Sequence, residues 1–177
     1  MRYPFLLLVL LLAVAALCST ELAAQGQRAS PHEQAAITID GKKITIDYGR
    51  PYMKGRKIFG GLEKYGTVWR AGADEATKLT TEAGLTIGNL KVPKGAYGLF
   101  VVLQENAWKL AVNSVADQWG AFQYDQSKDL GRVDMKTATV PAPLEQFTIS
   151  MTPAGPKKGA LKMAWENTVA TVEFAVN

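Results

Sequence analysis

Three short stretches concentrate the residue types that do chemistry. In Gly49–Lys57 (GRPYMKGRK), four cations fall within eight residues, Arg50, Lys54, Arg56 and Lys57, in a segment that Gly49 and Gly55 allow to approach a ligand closely. The planar guanidinium fork matches carboxylate, phosphate or sulfate geometry. The plainer reading is a solvated basic loop, or arginines that pin the loop to backbone carbonyls. In Val68–Ala76 (VWRAGADEA), Trp69, Arg70, Asp74 and Glu75 converge on one turn. An aromatic, a cation and a carboxylate together hold sugars or amines, and paired carboxylates do acid–base work. The plainer reading puts Trp69 in the core and pairs Arg70 with Asp74 or Glu75. In Gln118–Asp125 (QWGAFQYD), Trp119, Phe122 and Tyr124 stand outside any clear strand. They offer either an aromatic platform for a planar ligand or a plug for one end of the fold.

The rest of the composition removes alternatives. One Cys and one His among 177 residues exclude an internal disulfide, a thiolate metal site and a His-rich zinc or iron site. Asp117, Asp125 and Asp129 match no calcium-loop spacing, and no G-x-S-x-G elbow is present. No metal and no cofactor are therefore expected. His32 reads as a solvated residue. The formal net charge of +4 is mild; for an exported chain it argues against nucleic acid and leaves anionic small molecules or surfaces as partners.

The elements that must position these residues follow a period of two. Ile37-Thr-Ile-Asp, Gly41 and Ile44-Thr-Ile-Asp-Tyr48 read as a hairpin about Asp40-Gly41. Leu79–Thr81, Leu85–Ile87 and Leu90–Val92 follow, with Gly88-Asn89 as a turn. Tyr97 and Leu99–Leu103 form a nearly continuous apolar run, the mark of a central strand. Trp108, Leu110 and Val112 alternate with polar residues, as do 132–140, 147–151, 161–165 and 172–176, with Pro141 and Pro143 as breaks and Asn167-Thr168 as a turn. Segments 49–66 and 114–131 are irregular. The pattern predicts an all-β fold: a single antiparallel β-sandwich, or a jelly-roll or barrel-like domain, of about nine or ten strands.

At the N-terminus, Phe5–Cys18 is unbroken apolar sequence of 14 residues behind Arg2. That suits a signal-peptide core and is short for a spanning helix, which needs about 20. Ala24-Gln25-Gly26 supplies small residues for cleavage before Gln27, and a break after Ala24 is nearly as good. Lipid attachment at Cys18 is the lesser alternative, because that site wants a small residue just before the Cys and Leu17 is not small. The expected organisation is a signal peptide over 1–26, a polar tether over 27–36 and one β domain over 37–177, exported to the periplasm or medium, with no membrane span.

The blocks Arg50-Pro51…Gly55-Arg56-Lys57-Ile58-Phe59-Gly60, Tyr65–Ala76 and Trp119–Asp125, with Phe147-Thr148 and Met163–Glu166, together resemble a domain-of-unknown-function family of secreted bacterial proteins, number twenty-nine-eleven. The likeness runs over about residues 30–176. It implies secretion and a single domain and supplies no activity. The family pattern usually has Asn where this chain has Asp74, so a role needing a neutral amide there is in doubt.

Loops on a rigid β scaffold are the usual carriers of binding residues. The sequence therefore points to a binding module for a small polar or anionic molecule, possibly a sugar, through Arg50, Lys54, Arg56, Trp69, Arg70, Glu75, Trp119 and Tyr124. One alternative is a cofactor-free hydrolase or isomerase, with Asp74 and Glu75 as acid and base and Arg70 stabilising charge. Another is a cell-envelope structural or interaction domain whose aromatic loops meet a protein. Whether the chain is an enzyme stays open, with binding favoured.

Overall fold

A computed structural model describes residues 29–177; the expected signal peptide and the start of the expected tether lie outside them. Strand occupies 63% of the described residues, and the only helical element is a 3-10 turn at Gln126–Lys128. The strands are β1 (His32–Ile39), β2 (Lys42–Gly49), β3 (Val68–Trp69), β4 (Thr77–Thr81), β5 (Leu85–Ile87), β6 (Leu90–Val92), β7 (Gly95–Val102), β8 (Trp108–Asn113), β9 (Asp129–Gly155) and β10 (Lys158–Val176). All pairings are antiparallel, in the order β1-β2-β4-β7-β8-β9-β10-β5-β6, with β3 also on β7. The sheet is not closed, so of the arrangements expected it is not the barrel.

The hairpin β1–β2 turns as its sequence directs. Asp40 and Gly41 sit at φ 53 and 70, the two positive values a tight hairpin turn requires. β1 begins at His32, however, so residues 32–36 of the expected tether are an edge strand, with His32 opposite Gly49 and Ala36 opposite Thr45. The strand was illegible because its N-terminal half gives its backbone to β2 while its side chains stay in water, leaving no apolar alternation.

Two further expectations are corrected. Pro141 and Pro143 do not end a strand, and Asn167-Thr168 is not a turn: β9 and β10 run through both places as one long hairpin. The ladder slips between Glu166 and Thr168, opposite Thr139–Leu144, so the prolines lie where an amide proton is not needed. β9 pairs with β8 up to Met135 and with β10 from Lys136 onward. It thereby carries the sheet over from one layer to the other. Ile44, Ile46, Leu79, Leu99 and Leu110 of the first layer face Leu85, Ile87, Met151, Leu161, Val172 and Phe174 of the second across a dry apolar interior.

The irregular segments are fastened to this scaffold by aromatic side chains. Ile58 and Phe59 are buried, and Phe59 lies 4.5 Å from Trp108 and 5.8 Å from Trp69. The backbone amides of both donate to the carboxylate of Glu166, which sits at the bulge of β10. On the opposite face of the first layer, Tyr124 packs on Phe100 at 4.8 Å, with Ala76 and Ala111 beneath. β7 is thus covered on both sides, which is why its sequence reads as an apolar run.

Candidate functional site

Trp69 of β3 pairs with Val101, and Thr77 of β4 pairs with Leu99, so both strands line the same edge of β7. Between them residues 70–76 leave the sheet as a turn. Its base is closed by Thr77, whose amide donates to the Arg70 carbonyl at 3.2 Å and whose hydroxyl donates to the Ala71 carbonyl at 2.6 Å. Ala71 and Asp74 hold φ values of 52 and 64. Asp and Asn are the non-glycine residues best suited to that conformation, a backbone reason for an Asx residue at 74. On one flank the turn touches β2: a Cβ at Gly49 would fall 2.0 Å from the Ala73 carbonyl oxygen. On the other flank, Ala76 and Gly120 amides donate to the Gln118 and Asp74 carbonyls, and Glu75 bridges to Trp119. The turn is therefore a wall with a cleft on each side.

The larger cleft, about 440 Å3, is lined by His32, Asp47, Glu75, Lys78, Asp117, Gln118 and Trp119. Its charges are mutually engaged. His32 Nε2 lies 3.2 Å from Glu75 and 3.5 Å from Asp74, Lys78 pairs with Asp117 at 2.7 Å, and Asp47 accepts from Gln34. His32 is accordingly a partner of the turn rather than a solvated tether residue.

The smaller cleft, about 300 Å3, lies between residues 51–63 and 70–74, over Trp165. It is lined by Tyr52, Lys54, Arg56, Glu63, Arg70 and Asp74, three cations against two carboxylates. Its charges are not engaged in the same way. Among the described residues none accepts a hydrogen bond from the Arg70 guanidinium, and its Nε is buried without a partner. Asp74 Oδ2 makes no hydrogen bond but lies 3.5 Å from His32 Nε2, on the side of the larger cleft. Burial pushes the Glu63 carboxyl above the usual carboxylate range, an effect that Arg70 and then Arg56 oppose. Arg56 spends Nε and Nη2 on the carbonyls of Met53 and Tyr52. Lys54 gives its backbone amide to Glu145 and leaves its ammonium in solvent.

The residues expected to form one site are thus distributed. Lys54, Arg56 and Arg70 share the smaller cleft, with Asp74 in its wall; Glu75 and Trp119 face the larger one. Arg50 is bound on all sides: Nε to the Phe147 carbonyl, Nη2 to the Thr148 hydroxyl and Nη1 to Glu33 at 2.6 Å. It fastens β1 and β2 to β9. Trp69 is buried between Phe147 at 5.0 Å and Trp165 at 6.0 Å. Tyr124 is held in a network in which its hydroxyl donates to Asp129, Arg132 donates to both, and Asn113 donates to Asp129. Burial and the Asp129 carboxylate push its phenol up to about 12. Trp119 and Phe122 remain exposed, at 57% and 86%.

Glu63 and Tyr52 carry the cleft and were not singled out from the sequence. Each sits singly among glycines and cations, and no spacing marks it. Among the described residues no helix is long and apolar enough to cross a membrane, and no group of three or more His, Cys, Asp and Glu is placed to hold a metal ion.

The family model described as protein of unknown function (DUF2911) matches residues 30–174. No curated protein and no solved structure matches the chain.

Proposed function

The chain belongs to the DUF2911 family, and from that premise we propose that it binds a small anionic molecule in the cleft between residues 51–63 and 70–74. The observation that carries this reading is Arg70: a guanidinium in a concave site, with Lys54 and Arg56 beside it and no acceptor for its protons among the described residues. An arginine that served only the fold would be bonded as Arg50 and Arg132 are. An incoming carboxylate or phosphate supplies the missing acceptor in bidentate form. Export extends the proposal and rests on the apolar leader Phe5–Cys18; the mass of the mature N-terminus tests it.

Calorimetric titration with propionate and with inorganic phosphate is the direct test. Binding of either, weakened about tenfold or more in Arg70→Met, supports the reading. Binding indifferent to Arg70, or none at millimolar concentration, overturns it.

The raised Glu63 carboxyl favours a second reading, an acid–base enzyme of the hydrolase or isomerase type. Glu63 would then hold the proton that the sequence assigned to Asp74 or Glu75. Turnover of a bound ligand, abolished in Glu63→Gln with binding retained, separates it from simple binding.

A further inference from the structure

We propose that the ligand of this cleft is a hydroxylated carboxylate, of the sugar-acid class, rather than a simple anion; the inference rests on the anion-binding reading above. Arg70 is not the only unpartnered group there. Among the described residues none donates a hydrogen bond to the carboxylate of Glu63, which lines the same cleft. Arg70 forms no ion pair with Glu63 or Asp74, although all three line the same space. Arg70 and Glu63 are thus a donor and an acceptor held apart in one space, neither given a hydrogen-bond partner for its side chain by the described residues. A simple anion would satisfy Arg70 and leave Glu63 without a donor. A molecule with a carboxylate at one end and a hydroxyl donor at the other satisfies both Arg70 and Glu63.

Charge and shape select within that class. Lys54, Arg56 and Arg70 against Glu63 and Asp74 give the cleft a formal charge of +1, which a monoanion neutralises and a zwitterion does not. Glu63 suits a hydroxyl, whose proton a carboxylate accepts. The volume of about 300 Å3 lies at the lower end of ligand pockets, the scale of a single ring. Tyr52, 38% exposed on the rim, offers an aromatic face to the C–H groups of such a ring.

The test is a set of titrations of the same protein with D-glucuronate, propionate, L-alanine and D-glucose. The expected order is glucuronate at least tenfold tighter than propionate or alanine, with glucose weakest. Glu63→Gln and Tyr52→Ala should each narrow the glucuronate preference several-fold while leaving propionate affinity unchanged. Equal affinity for glucuronate and propionate, both lost in Arg70→Met, overturns the sugar-acid inference and leaves the anion site standing. Tighter binding of alanine overturns it too, by giving the two acids to an ammonium group. Failure of all carboxylates to bind through Arg70 overturns the inference and the anion reading together.

Discussion

Replacing Arg70 and Arg132 by methionine compares two arginines of similar length in opposite circumstances. Arg132 donates to Asp129 and Tyr124 at 3.0 and 2.7 Å, and the Asp129 side chain is only 6% exposed. Breaking such a pair strands a buried carboxylate, at a cost of about 3–5 kcal/mol. Asn113 and Tyr124 still donate to Asp129, so about 3 kcal/mol is the expected figure. In a domain of this size each kcal/mol moves the melting temperature by about 2–4 °C. Arg132→Met should therefore melt about 6–12 °C below the parent. The Arg70 side chain makes no hydrogen bond to any described residue. Its buried, unsatisfied Nε carries a penalty of about 1–3 kcal/mol that methionine removes, and the methionine stem keeps most of the packing of the arginine stem. The attraction between Arg70 and Glu63 is lost, which offsets part of the gain. Arg70→Met should melt between no change and about 6 °C higher, while losing the anion. Differential scanning calorimetry in ligand-free buffer reads both. A fall in Arg70→Met equal to that in Arg132→Met would refute the reasoning, because Arg70 would then be a structural pair and the cleft no preformed site.

Gly49→Ala places a methyl 2.0 Å from the Ala73 carbonyl oxygen; separating β2 from the turn should cost about 3 kcal/mol, read as a lowered urea midpoint at unchanged slope. Glu63 gives a pH signature: a carboxyl raised in the folded protein contributes stability that is full below its unfolded value near 4.5 and is lost as pH climbs through the folded one. Melting temperatures of parent and Glu63→Gln, compared from pH 4 upward, should therefore diverge in favour of Glu63→Gln above that range, and a constant difference would count against it.

The sequence by itself determined what depends on local chemistry and burial of one face at a time. Alternation gave the all-β class, Asp40-Gly41 the first turn, and the apolar run at 97–103 the central strand, because period, φ preference and two-sided burial are written in neighbouring residues. Edge strand β1 was not legible, since an edge can pair its backbone without burying side chains. Nor was the continuity of β9 through Pro141 and Pro143, since proline breaks a strand only where its amide proton is required, and that depends on the register of a partner 20 or more residues away. The site divides in the same manner. The chemistry-bearing segments were visible as composition, but whether an arginine binds or builds is decided by what lies opposite it. Arg50 meets Phe147, Thr148 and Glu33, and Arg132 meets Asp129 and Tyr124. Arg70, in a segment that looked no different, meets an open cleft, because β3 and β4 share one edge of β7 and push the turn between them out of the sheet. Phe147 and Thr148 lie 97 and 98 residues from Arg50 and Glu33 lies 17 away, and only tertiary pairing brings them within reach.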